Sequence, residues 1–520
     1  MYMFVLAACI FVIWLLGRLG GKPRGGEIKT PVQVETPTDG SANVPESKAT
    51  ASDAGSQEQD MLTPEEKERQ RQEWIEDYKR QRKKQLKAEK QESPAETAET
   101  EKEPYVPPTI MLASDLHYIS AATHDSGTAF WKMVEGDDGK IDQYSDEMMD
   151  ALMDEAIRKH PAALVLSGDL TLNGERENHE RLAEKLRRVQ AAGVPVVVIT
   201  GNHDILVTRA ANYFGSKRVQ AEYLNTANDF YEIYHEFGYD QSPNRDPYFL
   251  SFVYPVDAGH WLIMLDSCQY EDYNHVNGRL KPETLAWLEV HLKVAKEHGI
   301  EVLPIAHHNI LSESRLHTTE CTMENHDEVV KLLEKYRVPL YISGHLHVQR
   351  IKKHKAEPGV SEDTYGITEI VLAPYPFPQN QYGELYWNTS SDMAFSTKQV
   401  DVAAYAVRHG LTDENLLDFD TYAPAFLKEV IRYQVEKKIS GVPDDIKQEM
   451  ADLYAELYYN YCAGNRMTWD SVRTTAAYRL WQRVDPDGKS TADIGHMIED
   501  VRQDMHDWRS DTASANTAQP

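Results

Sequence analysis

Cysteine is scarce in this chain of 520 residues: there are four, Cys9, Cys268, Cys321 and Cys462. That is too few, and too widely spaced, for a disulfide framework or a cysteine zinc site. The last three read as packing residues, the usual place of a free thiol. Positive charge is also in short supply, with 55 Lys and Arg against 83 Asp and Glu and a net charge of -28. Nucleic-acid backbones are gripped through Lys and Arg, so no long nucleic acid is expected as a partner. A site that handles phosphate here must supply its own local positive charge, and metal ions are the obvious source. Internal repeats are absent by inspection, and beyond the first sixteen residues apolar runs are short.

The exception opens the chain. Residues 2–16, YMFVLAACIFVIWLL, are apolar without a break. That length lies near the minimum for a membrane span and at the long end for a signal core. Leu6-Ala7-Ala8-Cys9 resembles a bacterial lipobox, yet Arg18, Lys22 and Arg24 come directly after the run and by charge would hold the rest of the chain in the cytoplasm. Residues 1–24 are therefore expected to be a membrane anchor or signal segment. Residues 25–104 read as a polar Thr/Pro/Ser/Gly-rich linker and a charged helical stalk over residues 64–92.

From Tyr105 the texture changes. Short apolar runs recur at residues 110–113, 162–166, 194–199, 261–265, 301–305 and 339–342, with helical patterns such as 146–159 and 177–192 between them. Buried strands alternating with helices predict an α/β layered domain over 105–402. Residues 370–373, 384–387 and 398–402 read as closing strands. Residues 403–510 read as a helical domain, with Pro424 in the first turn of a helix and a core stripe at Tyr454, Leu457, Tyr458 and Tyr461.

Five of the apolar runs end in polar clusters. They are Ser114-Asp115-Leu116-His117, Ser167-Gly168-Asp169-Leu170, Gly201-Asn202-His203-Asp204, His307-His308 and Gly344-His345-Leu346-His347. Ligands of open α/β sheets sit at the carboxyl ends of strands, so these five clusters are expected to converge on one rim. Each alone is an ordinary turn or polar surface. The ordered set is not.

This set resembles the complete motif set of the calcineurin-like metallophosphoesterase superfamily over residues 105–350. More narrowly it resembles secreted or surface class III cyclic-nucleotide phosphodiesterases of Gram-positive bacteria. Ser114 to Tyr118, His124 to Phe130, Gly168 to Thr171 and Gly410 to Asp420 carry the narrower likeness. The resemblance implies a four-layer αββα sandwich with a C-terminal helical domain. It implies two divalent metals, Mn or an Fe/Mn pair with Zn as an alternative. Asp115, His117 and His347 would hold one, Asn202, His307 and His345 the other, and Asp169 would bridge them. His203 would face the phosphoryl or leaving-group oxygen, with Asp204 orienting it. Asn309 stands where the family pattern has proline. The likeness also favours a membrane-anchored, extracytoplasmic enzyme over the cytoplasmic side that the charge pattern favours.

The chemistry is consistent with those residue types. Two metals lower the pKa of a shared water and clamp phosphoryl oxygens. Two carboxylates and five neutral ligands leave such a site about two units positive, which suits an anionic phosphodiester. His203 can then give a proton to the leaving alkoxide. The alternatives are a metal-dependent phosphomonoesterase or nucleotidase, and a non-catalytic binding or scaffold protein that kept the fold. The sequence says nothing of oligomeric state.

Overall fold

The computed structural model describes Arg69, Arg80, residues 107–354, 366–389, 392–485 and 488–510. The expected N-terminal anchor lies outside the described residues, as does the linker and stalk apart from Arg69 and Arg80, which are helical and exposed. Among the described residues no helix is long and apolar enough to cross a membrane.

In chain order the strands are β1 (Thr109–Ala113), β2 (Ala163–Ser167), β3 (Val196–Ile199), β4 (Ala211–Phe214), β5 (Lys217–Gln220), β6 (Asn244–Arg245), β7 (Phe252–Pro255) and β8 (His260–Leu265). They continue as β9 (Glu301–Ala306), β10 (Leu340–Ser343), β11 (Arg350–Lys353), β12 (Thr368–Val371), β13 (Gln381–Thr389), β14 (Asp392–Gln399) and β15 (Asp507–Arg509). One sheet has the order β15-β14-β13-β1-β2-β3 and the other β11-β12-β10-β9-β8-β7-β6, while β4 and β5 form a separate pair. Within the first sheet β1, β2 and β3 are parallel, and within the second β8, β9 and β10 are parallel. Such strands are buried on both faces, which is why they read as unbroken apolar runs rather than alternating ones. Leu112, Val165 and Val197 of the first sheet share one core with Leu262, Leu303 and Ile342 of the second. The result is an α/β fold followed by a helical region.

Helices Ser145–Lys159 and Arg176–Ala191 bury Met148, Leu152, Leu182 and Leu186 in that same core. Helix Pro282–His298 packs on β9; proline stands in its first turn, and Gly299 ends it in the left-handed conformation, φ 66°.

Three expectations change. The strand expected over 398–402 ends at Gln399, because the Asp401 carboxylate accepts the Ala404 N–H and caps a helix, Val402–Arg408. Pro424 is not in a first turn: its helix runs Phe419–Glu436, so the missing proline N–H falls opposite the Asp420 carbonyl inside the helix. The C-terminal region is also not helical throughout, since β15 returns to pair with β14.

The helical region has its own core, in which Leu427 and Ile431 meet Met450, Tyr454, Leu457, Tyr458 and Tyr461. Leu346 and Val348, which flank His347, belong to this core rather than to that of the sheets. The helices therefore back the loop that carries two candidate metal ligands. The Gln349 N–H donates to the Cys462 carbonyl (2.9 Å) and the Arg350 guanidinium lies over the Tyr461 ring (4.3 Å). Cys268 and Cys462 are buried and in no disulfide, and Cys321 is half-buried.

Candidate metal centre

The candidate ligands follow the carboxyl ends of five parallel strands, β1, β2 and β3 from one sheet and β9 and β10 from the other. At each end the chain must turn at once. Asp115, His117, Asp169, His345 and His347 all adopt positive φ, between 42° and 68°. Residues with a Cβ avoid this region at a cost of about 1–3 kcal/mol each, and they persist there only where neighbours enforce it. Two glycines allow the ends to close together. A Cβ on Gly201 would overlap the Asp169 backbone and carboxylate, and one on Gly344 would overlap Ser114 Oγ and the Asp115 carboxylate.

Asp115, His117, Asp169 and His347 bring their donor atoms within 4.8 Å of one another. His117 Nε2 lies 2.9 Å from His347 Nε2 and 3.7 Å from Asp169 Oδ2. His347 Nδ1 donates to Asp138 Oδ2 (2.7 Å), which leaves Nε2 as its outward lone pair. Two imidazole nitrogens so opposed suit a cation between them. His307 Nε2 lies 3.2 Å from Asp169 Oδ2 and 3.1 Å from Asn202 Oδ1, while its Nδ1 donates to the Ser167 carbonyl at 3.1 Å. His345 Nδ1 is buried and has no hydrogen-bond partner, and its Nε2 donates to the Glu320 carbonyl (2.9 Å). Two donor groups result, His307 with His345 and Asp115 with His117, Asp169 and His347, and Asp169 Oδ2 reaches from its own group to His307; the set fits two metal ions. His308 has a ring nitrogen within 4.8 Å of donors on His307 and His345, but Ser267 Oγ and the Val276 carbonyl engage its two nitrogens at 2.8 and 2.9 Å.

The electrostatics of the free protein match a site built for cations. Burial works against the charged form of His307, but the adjoining Asp169 carboxylate outweighs it and raises the pKa to about 9. A metal bound at His307 would take the place of that proton. At His345, burial and then the charge of His307 push the pKa down to about 3, so the ring is neutral and ready to ligate.

Asp204 is a correction. Its carboxylate does not orient the His203 ring. It accepts the N–H groups of Gly201 (2.8 Å), Leu170 (3.2 Å) and Thr171 (3.1 Å), and so ties the β2 and β3 ends together. The His203 ring is set by other groups: Nδ1 donates to the Leu172 carbonyl at 2.7 Å, and Nε2 accepts from Arg209 at 2.9 Å. The ring stands edge-on to His117 with centroids 4.7 Å apart. Asn309 pins the β9 end to the β10 end, donating to Ser343 Oγ (2.9 Å) and the Gly344 carbonyl (3.0 Å).

Other histidines have structural duties. His124 stacks on Phe130 (3.8 Å), and His275 stacks on Tyr273 (3.8 Å). His317 lies 6.1 Å from the Tyr461 ring, and His326 opens helix His326–Lys335. His179 is fully buried against Thr171 Oγ1 (3.2 Å), the Asp204 carbonyl (3.1 Å) and Tyr234 OH (2.9 Å). Burial lowers its pKa to about 3. The unfolded chain binds a proton there near pH 6.5, and the folded chain does not until about pH 3. The stabilisation is full above pH 6.5 and is lost as pH falls through that window, on the order of 5 kcal/mol in all. Denaturant titrations at stepped pH should therefore show His179→Gln with a flatter acid limb than the wild type, by up to one proton; equal slopes would clear His179.

Sequence reasoning missed Asp138, Lys140, Asn274 and Arg209, none of which comes at a strand end. Asp138 holds His347, and buried Lys140 in turn holds Asp138 (2.8 Å) and Asp137 (3.1 Å). The only local signal was an acidic glycine turn, Asp137-Asp138-Gly139. Asn274 Nδ2 grips the carbonyls of Asn202 and Ile205, both at 2.8 Å. A carboxylate behind a ligating imidazole raises its basicity and fixes its ring, and losing one costs about 10–100-fold in metal affinity. Asp138→Asn should accordingly weaken manganese binding by about 10–100-fold in a chelator competition; unchanged affinity would remove Asp138 from the site.

Parts of this chain resemble known proteins. Residues 108–349 match the calcineurin-like phosphoesterase family, and residues 401–504 match the C-terminal domain of cyclic nucleotide phosphodiesterase. A "probable cyclic nucleotide phosphodiesterase" of Xenorhabdus bovienii is 22% identical over 191 residues, covering 37% of this chain and 63% of that protein. A protein of Synechococcus sp. with the same description is 26% identical over 191 residues, covering 36% of this chain and 59% of its own. The chain thus spans about three fifths of the length of the curated relatives it matches. A dimetal phosphatase structure from Danio rerio is similar at 14% identity and a TM-score of 0.40, covering 56% of this chain and 96% of that one. The two matches give this chain a calcineurin-like metallophosphoesterase domain over residues 108–349 followed by a cyclic nucleotide phosphodiesterase C-terminal domain over residues 401–504.

Proposed function

We propose that the chain hydrolyses phosphodiesters in a reaction that depends on two divalent metals, with cyclic nucleotides as the substrate class. The observation that carries this reading is Asp169, whose carboxylate faces His117 on one side and His307 on the other. Mn(II), or an Fe/Mn pair, would be held by Asp115, His117 and His347 at one position and by Asn202, His307 and His345 at the other, with Asp169 serving both. Bound there, the metals supply Lewis-acid polarisation of phosphoryl oxygens and an activated water. The residues of the chain do the rest. Asp115 and Asp169 leave the loaded site about two units positive, which draws in an anionic ester. His203 presents Nε2 to the cleft with its ring fixed by the Leu172 carbonyl. Once Arg209 has released that nitrogen and Nε2 has taken a proton from solvent, it gives that proton to the leaving alkoxide. The C-terminal domain match and the described activity of the two relatives support cyclic nucleotides as substrates.

The test uses the full chain, stripped of metal and restored with Mn(II). It is assayed on a generic diester, a generic monoester, and 2′,3′- and 3′,5′-cyclic nucleotides. Metal-dependent turnover of diesters or cyclic nucleotides is expected. Turnover of monoesters alone would replace this reading with a phosphomonoesterase, and silence with Mn, Fe and Zn alike would leave a binding protein. The apolar run at residues 2–16 supports a membrane anchor, and the polar linker with the likeness to surface phosphodiesterases supports an extracytoplasmic location, where substrates would be extracellular. Protease digestion of intact cells should then remove the catalytic domain; full protection would place it inside.

A further inference from the structure

Arg209 is a cation placed beside the candidate metal centre. Lys140 pairs with Asp137 and Asp138, and Arg176 pairs with Glu222 and Asp229. Arg209 has no carboxylate partner among the described residues. Its Nε donates to Asn173 Oδ1 and its Nη2 to His203 Nε2 (2.9 Å). The guanidinium thus lies against the nitrogen of His203 that the Leu172 carbonyl leaves open, with the ring edge-on to His117, and the arginine side chain opens to solvent.

The backbone beneath it is pinned. The Arg209 carbonyl accepts from the Arg218 guanidinium, the Ala210 N–H donates to the Val207 carbonyl (3.1 Å), and the Ala221 N–H donates to the Ala210 carbonyl (3.1 Å). These bonds fix the loop to the β4–β5 pair and leave the side chain as the moving part. Fixing the His203 tautomer does not require Arg209, because the Leu172 carbonyl already does so. A hydrogen bond from a guanidinium to a neutral imidazole is also the weaker use of such a group. An anionic phosphoryl oxygen is a stronger acceptor by roughly a factor of two, and the planar fork matches two such oxygens at once.

We propose that Arg209 is a phosphate-binding residue of this site: it caps His203 Nε2 in the free protein and turns onto the non-bridging phosphoryl oxygens when the ester enters. The exchange adds one positive charge to the substrate group. It also frees Nε2 to take up a proton from solvent beside the leaving oxygen, so one movement both binds the anion and opens the nitrogen that would carry the proton. This inference rests on the phosphoester reading of the site.

The decisive measurement is calorimetric binding of inorganic phosphate to the full, manganese-loaded chain, for wild type, Arg209→Ala and Arg209→Lys, with metal content determined for each. Phosphate affinity should fall about 10–100-fold in Arg209→Ala, as expected for loss of a hydrogen-bonded charge. Arg209→Lys should recover part of it, and manganese content should not change. In hydrolysis assays KM should rise in the same order. Phosphate binding as tight in Arg209→Ala as in wild type would overturn the proposal, as would a loaded wild type that binds no phosphate. A lower kcat with unchanged phosphate affinity would instead make Arg209 a holder of His203. Arg209-dependent phosphate binding by a protein that cleaves no ester would keep the proposal and sink the hydrolase reading.

Discussion

Asp169→Asn will lose metal and activity together. The carboxylate faces donors from both sheets, with Oδ2 3.7 Å from His117 Nε2 and 3.2 Å from His307 Nε2, while Oδ1 accepts the His203 N–H at 2.7 Å. Asparagine is nearly isosteric, so the turn and one hydrogen bond survive. The substitution removes a negative charge between two cation positions, and with it the one ligand they share. Metal polarisation contributes several kcal/mol to transition-state stabilisation, and each 1.4 kcal/mol is a factor of ten. Turnover should therefore fall by at least about 10³-fold. Elemental analysis after dialysis should show less than the wild-type metal content. The outcomes are separable: an Asp169→Asn protein that keeps two metals and loses only rate would show that Asp169 shapes the reaction without bridging, and one that keeps both would remove the site from this location altogether.

His203→Ala is the complementary case, with metal kept and rate lost. The ring touches no proposed metal position through Nδ1, which is committed to the Leu172 carbonyl. In the free protein burial pushes its pKa down to about 3, with Arg209 adding to the effect against the opposing pull of Asp169. A neutral ring cannot donate from Nε2. The proton must therefore come onto that nitrogen after Arg209 moves away and the anionic ester arrives. General acid catalysis contributes about 10²–10⁴-fold, so the variant should lose a rate in that range with manganese content intact. The loss should be largest for esters with poor leaving groups and should shrink when the leaving group is an activated phenol. A uniform loss across leaving groups would give His203 a role in binding the phosphoryl group instead of protonating the leaving oxygen.

Much of the site could be read before any coordinates, and the reason is geometric. A parallel strand buried on both faces is a short apolar run, and the residue after its carboxyl end is the first that can be polar. The clusters at Asp115, Asp169, Asn202, His307 and His345 stood out because an apolar run stopped abruptly at each. The errors have an equally physical origin. Pro424 reads as a helix start because proline suits a first turn, but a further turn of good helix packing precedes it. Residues 398–402 read as strand because Val400 and Val402 suggest alternation, but Asp401 can cap a helix and does.

The sequence by itself determined the order of strands and helices in outline, the donors at the five strand ends and the balance of charge that calls for metal. It did so because each of these is written in neighbouring residues. Only the tertiary structure decided which groups stand behind the donors. Asp204 ties two strand ends together instead of holding its neighbour His203, because backbone N–H groups from β2 and β3 reach its carboxylate first. Asp138 supports His347 across 209 positions of chain, and the helical region seats Leu346 and Val348 in its own core. Arg209 caps His203 because the β4–β5 pair turns its loop back over the cleft. Contacts of this kind join residues that share no local pattern, so they appear only when the two sheets and the helices behind them have closed around the same point.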